Sequence, residues 1–196
     1  MERRIAAFFA VALAATSAHA QTAPPPCLLG GSFDAAVAAL ADGGWTVLTP
    51  GMPVPADAAE RLGWGLVATY VAADTGGASL AELHDLQRRA VAGLARKVDT
   101  ETSRARVAIR EGAALTISRT TTLPGRVEQV CRIALDGLAA RAYPEGFGPV
   151  EASRIGDAEV IVQPLDPDTL SLLTERPVAV ATLIETRTIL TEDEAR

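Results

Sequence analysis

The chain reads as an α+β protein: a mostly antiparallel sheet, a long amphipathic helix over about residues 79–98 packed on one face, and a short N-terminal helix over about 33–41. Three observations predict this. Residues 103–135 alternate apolar and polar side chains around two turn signals, as hairpin-connected strands do. Ser79 and Glu82 stand three apart at the head of a helical apolar pattern, the spacing of a capping box. Strands and helices come in runs rather than in strict alternation, which favours antiparallel pairing over parallel β-α-β units.

Residues 1–20 (MERRIAAFFAVALAATSAHA) have the layout of an export signal: Arg3 and Arg4, then an apolar run from Ile5 to Ala15, then Ala18-His19-Ala20. Cleavage is expected after Ala20, because a peptidase reads that small-x-small pattern. The apolar run falls short of the roughly 20 residues needed to span a bilayer. No later segment is long and apolar enough to be a membrane helix. Cys27 follows Pro24-Pro25-Pro26 rather than the small residue that lipid attachment requires. Seventeen of the eighteen basic residues are Arg, and Asn is absent, as a GC-rich genome would produce. The expected location is therefore the periplasm of a Gram-negative bacterium. The predicted layout is a cleaved signal peptide over 1–20, an extended Pro-rich leader over 21–31, one domain over 32–190 and a disordered tail over 191–196.

The net charge is −6 and becomes one unit more negative on cleavage, since Arg3 and Arg4 leave with Glu2. A modestly acidic chain is a poor partner for nucleic acid or an anionic membrane surface. Hydrophobic residues make up 48% of the chain but aromatics only 4%, so Ala, Val, Leu and Ile must fill the core.

Cys27 and Cys131 are the only cysteines. In an oxidising compartment such a pair is most simply one disulfide. A loop of about 100 residues closed this way stabilises the fold by roughly 4–5 kcal/mol in the chain-entropy description. The pair lacks the C-x-x-C spacing of redox catalysts.

Along the chain, Ser32 caps a helix whose Phe33, Ala36, Val37 and Leu40 recur at helical spacing until Gly43-Gly44 stops it. A short strand is expected from Trp45 to Thr49. Residues 56–62 suggest a helical turn, and 65–72 (GLVATYVA) a buried strand. In the 79–98 helix, Leu80, Leu83, Ala90, Val91, Leu94 and Val98 form one stripe. Gln87 interrupts that stripe, and His84 lies at its edge, where a half-exposed position is expected. The meander follows, with turns at Glu111-Gly112 and Leu123-Pro124-Gly125-Arg126, and with Cys131 facing inward. Residues 136–157 read as irregular. Glu159–Gln163 and Val178–Leu190 read as strands, and 166–174 as either a helix capped by Asp166 or Asp168 or a strand of a tight hairpin.

Catalytic signals are sparse. His84 is the only histidine left after cleavage, which excludes histidine clusters, and no G-x-S-x-G elbow is present. Asp157, Glu159, Asp166 and Asp168 cluster in sequence but lack the ligand number and central Gly of a calcium loop. No phosphate-binding glycine motif occurs, and no cofactor or metal is implied. Arg104, Arg106 and Arg110 project from one side of a strand, and Tyr143 and Phe147 stand in a Pro/Gly loop; these five are the candidate ligand or partner contacts. The expectation is a non-catalytic binding or envelope-associated module. Its partner would be another envelope protein, or a small ligand held between the 79–98 helix and the sheet. The alternative is a periplasmic hydrolase using dispersed carboxylates or an isolated serine.

Overall fold

The computed structural model describes residues 27, 31–70, 79–94, 96, 99–142, 153–155, 157–191 and 193–194. The expected signal peptide and its cleavage site, most of the Pro-rich leader, and Tyr143 and Phe147 lie outside these residues.

The chain is α+β, built on an antiparallel sheet. In chain order its strands are β1 (Thr46–Val47), β2 (Ser103–Arg110), β3 (Ala113–Leu123), β4 (Arg126–Asp136), β5 (Ser153–Ile155), β6 (Ala158–Pro164) and β7 (Val180–Thr191). They lie in the order β1-β2-β3-β4-β7-β6-β5. β2, β3 and β4 form the expected meander, with Arg106 opposite Ile117 and Ile117 opposite Cys131. Gly112 and Gly125 occupy their turns with φ of 66° and 77°, a conformation that costs a residue with a Cβ. β7 then lies between β4 and β6 and pairs with both, setting Glu185 beside Arg132.

The helices are α1 (Phe33–Asp42), α2 (Ala56–Tyr70), α3 (Leu80–Leu94), α4 (Gly137–Ala142) and α5 (Pro167–Thr174). Ser32 Oγ accepts from Ala35 N and starts α1. The capping box at α3 is complete: Ser79 N donates to Glu82 Oε2 at 2.8 Å, and Glu82 N to Ser79 Oγ at 3.2 Å. Asp166 Oδ1 accepts from Asp168 N and Thr169 N, so 166–174 is the capped helix and not a hairpin strand. None of the helices described is long and apolar enough to cross a membrane.

Three elements differ from expectation. The segment predicted as a helical turn (56–62) followed by a buried strand (65–72) is one continuous helix, α2, as far as Tyr70, and residues 71–72 lie outside the described residues. Ala58, Ala59, Leu62, Trp64, Leu66 and Val67 are all buried, because the sheet covers one side of α2 and α3 the other. A helix enclosed all round loses its 3.6-residue signature and reads as an unbroken apolar run, as a buried strand does. Within the region expected to be irregular, residues 137–142 are helical: Asp136 Oδ1 accepts from Leu138 N and Ala139 N and caps α4. Thr191, expected in a disordered tail, ends β7 and donates from N and Oγ1 to Glu194 Oε2.

Both faces of the sheet are buried. On one, Phe33, Leu40 and Trp45 pack on Leu115, Ile117, Ile133 and Leu135 around the Cys27–Cys131 disulfide. On the other, Leu62 and Leu66 of α2 meet Val107, Ala114, Ala134 and Leu183. Alanines at 114 and 134 give the helix room to approach the sheet. From α3, Val91 joins this second core fully, while Leu80 and Leu83 border it. α2 is thus the layer directly on the sheet, with α3 packed largely against α2.

His84 is not the half-exposed edge residue expected. It is 1% exposed, stacks on Trp64 with ring centroids 4.2 Å apart, and hydrogen-bonds through Nε2 to the Glu60 carbonyl at 3.0 Å. Gly63 makes the approach possible, since a Cβ there would lie 2.8 Å from His84 Nε2.

Candidate ligand cleft

Arg104, Arg106 and Arg110 occupy alternate positions of β2 on the face that carries α1. Arg104 bridges two acids, Asp34 Oδ1 at 2.6 Å and Asp99 Oδ2 at 3.2 Å. Arg106 holds Asp99 with two nitrogens, each at 2.7 Å. The Arg104 guanidinium lies over the Phe33 ring and that of Arg110 over Trp45. These contacts anchor the start of α1 and the Trp45 turn to the sheet. The three arginines are therefore engaged as structural clamps in this structure.

Asp99 carries the electrostatic cost of that clamp. The Arg106 hydrogen bonds, opposed by partial burial and reinforced by Arg104, lower its pKa to about 2. A carboxylate depressed in the folded state stabilises the fold above its unfolded pKa and loses that contribution as pH falls through the folded value. Between about pH 5 and pH 2 the wild type should therefore lose up to about 2 kcal/mol from this group. Asp99→Asn should be less stable at pH 7 and show a flatter acid limb in urea titrations. Parallel acid limbs for the two proteins would remove Asp99 from the account.

Metal chemistry finds no support in the described residues, where no three His, Cys, Asp or Glu side chains gather. Of the acidic cluster considered from sequence, Asp166 is a helix cap.

The space between the 79–98 helix and the sheet is the one expected from the sequence to hold a small ligand, where the partner is not another protein. There, α3 and the sheet leave a cavity of about 550 Å³. Gln87, Ala90, Gly93 and Leu94 of α3 form one wall, with Leu66 at the end nearest α2. The floor is Ala105 on β2, Thr116, Ile117 and Ser118 on β3, and Arg132 on β4. Ala90 is exposed and Leu94 only half-buried, so these two members of the predicted apolar stripe border the cavity, while Val91 is buried and Val98 lies outside the described residues. Gln87, the residue that breaks the stripe, sits in its lining. Its side chain makes no hydrogen bond among the described residues.

Arg132 also borders a smaller cavity of about 180 Å³, with Gly65, Ile161, Gln163, Leu183 and Glu185. Arg132 Nε donates to Glu185 Oε2 at 2.8 Å, and Arg187 Nη2 reaches Glu185 Oε1 at 3.3 Å. Both Glu185 oxygens are thus held by arginines, which balance its charge. In the larger cleft, Ser118 Oγ lies 3.5 Å from the Val130 carbonyl, and no carboxylate or histidine lines the described wall to take its proton.

Sequence reasoning singled out Gln87 only as an anomaly, and it did not identify Thr116, Ser118, Arg96 or Arg132 as site residues. Thr116 and Arg132 face each other across β3 and β4. Alternation alone marks such residues as one face of a strand and says nothing of what covers that face.

The fold and cleft define a class: an α+β protein with an antiparallel sheet covered on both faces and an apolar cleft with a polar floor beside its outer helix. No protein-family model matches this chain, and neither a curated protein nor a solved structure was found that resembles it.

Proposed function

We propose that the protein is an exported, periplasmic, non-catalytic binding module that holds a small ligand in the cleft between α3 and the sheet. One observation carries this reading: Ala90 and Leu94 of the apolar stripe of α3, expected to be packed, instead border a cavity of about 550 Å³. That volume lies within the roughly 300–1,000 Å³ typical of small-molecule sites, and the lining has their composition, apolar walls with a few polar groups. Ion pairs engage Arg104 and Arg106, and the Arg110 guanidinium lies over Trp45. The cleft floor contains the hydroxyls of Thr116 and Ser118, and the described lining holds no Asp, Glu or His to activate them, which supports binding over hydrolysis. The disulfide is compatible with an oxidising compartment, and the expected cleavage after Ala20 supplies the route there.

The cleft is tested with the neutral apolar fluorophore N-phenyl-1-naphthylamine and the variant Ala90→Trp. Ala90 is exposed on the wall, so an indole there fills the cleft without displacing core atoms. The wild type should enhance the dye's emission saturably, and Ala90→Trp should weaken binding at least about tenfold, equivalent to ~1.4 kcal/mol, with an unchanged circular dichroism spectrum. Equal binding by both proteins, or none by the wild type, would refute a ligand cleft at this position. Location is checked by cell fractionation and N-terminal sequencing, which should find Gln21 first in the periplasmic fraction.

A further inference from the structure

The charge distribution of the cleft goes further than its size and identifies a ligand class. The protein as a whole is acidic, yet the described lining holds the charged side chains of Arg96 and Arg132 and no Asp or Glu, the Arg106 guanidinium lying on the α1 face of the sheet. The Arg132 charge is balanced from outside the lining by Glu185. Arg96, exposed just beyond the C-terminus of α3, makes no ion pair or hydrogen bond through its side chain among the described residues. Among the described residues the cleft therefore has an apolar wall of Leu66, Ala90 and Leu94, hydroxyls in the floor, and at its rim the Arg96 guanidinium with no described counter-charge.

We infer that the ligand is an amphiphile with an apolar chain and one compact anionic head group, its chain lying along α3 and its head meeting Arg96. This rests on the cleft assigned above and adds the chemistry of what fills it. A neutral ligand would gain nothing from an uncompensated guanidinium, and a cationic one would be repelled. A carboxylate or phosphate gains a charge-assisted, planar hydrogen-bonding partner.

The test is titration calorimetry of the purified protein with decanoate, decyl phosphate and decanol, and with the shorter octyl members of each series. Binding should strengthen by about fourfold per methylene, the worth of burying one CH₂, in all three series. Both anions should bind roughly five- to tenfold more tightly than decanol at low salt, a preference that shrinks as salt screens an exposed rim charge. The tighter of the two anions identifies the head group. Arg96→Gln should bring the anions down to the alcohol while leaving the chain-length slope intact. Equal binding of decanol and the anions by the wild type, or an anion preference that survives Arg96→Gln, overturns the inference while leaving the cleft standing. A chain-length slope unaffected by Ala90→Trp removes the cleft itself.

Discussion

Replacing both Cys27 and Cys131 with alanine is expected to lower the unfolding free energy by about 3–5 kcal/mol, the largest effect of any change short of deleting an element. The cysteines are 104 residues apart, with Cα atoms 5.7 Å apart. Closing so long a loop removes much of the freedom of the unfolded chain, and the chain-entropy description gives about 4.7 kcal/mol for a loop of about 100 residues. The bond also ties the residues just before α1 to β4, whose Cys131 lies beside Ile117 in the middle of the sheet. Without it, Phe33, Ala36 and Leu40 must hold α1 by packing alone. Urea unfolding should show a lower midpoint with a steeper dependence on denaturant, since an uncrosslinked chain exposes more surface. The melting temperature should fall by roughly 10 °C for a protein of this size. A dithiothreitol-treated wild type should approach the double variant. Identical midpoints for oxidised, reduced and substituted protein would eliminate the staple as a source of stability.

The second large effect lies at the α2–α3 crossing. His84→Ala is expected to destabilise by about 2–4 kcal/mol, because it empties a fully buried site and removes a stacking partner from Trp64. It also deletes the hydrogen bond to the Glu60 carbonyl. Gly63→Ala acts on the same contact from the other side. Alanine favours a helix interior by about 1 kcal/mol over glycine. Here, however, the new Cβ would meet His84 Nε2 at 2.8 Å and the Arg88 backbone N at 3.3 Å. The histidine ring is stacked and hydrogen-bonded and has nowhere to turn. The clash outweighs the propensity gain, for a net loss of about 1–3 kcal/mol. The two changes should not add: once His84 is truncated, the Gly63→Ala methyl enters the vacated space, and the double variant should be more stable than the sum of the singles implies. Additivity within error, or a stabilising Gly63→Ala, would show that the two helices are not locked through this pair.

The elements legible in the sequence are those held by local chemistry. The meander announces itself through alternation and through glycines at the two positions where the backbone turns with positive φ. The capping boundaries at Ser32, Ser79 and Asp166 depend on side chains reaching amides two or three residues away, so they are written within four letters of sequence. The cysteine pairing followed from there being only two. α2 was misread because its burial on two sides erased the pattern that distinguishes helix from strand. His84 was placed at a helix edge because a single amphipathic stripe assumes one buried face, whereas α3 packs against α2 as well as bordering the sheet-side core.

The candidate site was half visible. Gln87 stands out in the sequence as an interruption of the apolar stripe of α3, and in the structure it lines the cavity between that helix and the sheet. Arg96 and the Thr116–Arg132 floor had no signature of their own. The arginines of β2 stand out by their spacing, and the fold engages Arg104 and Arg106 with Asp34 and Asp99 and sets Arg110 over Trp45; Asp34 lies 70 residues away from Arg104 in the chain.

What the sequence by itself determined is therefore the local grammar of this protein: its helix starts, its hairpin turns, the register alternation of β2 to β4 and the identity of the two cysteines to be joined. These depend on interactions within a few residues, or on having no alternative partner. Which helix lies on the sheet, which arginines are neutralised and where packing stops short were decided by the tertiary structure alone. Each depends on residues tens of positions apart meeting across a layer. The clearest case is the Arg132–Glu185 pair at the cleft floor, joined only because β7 returns to lie beside β4.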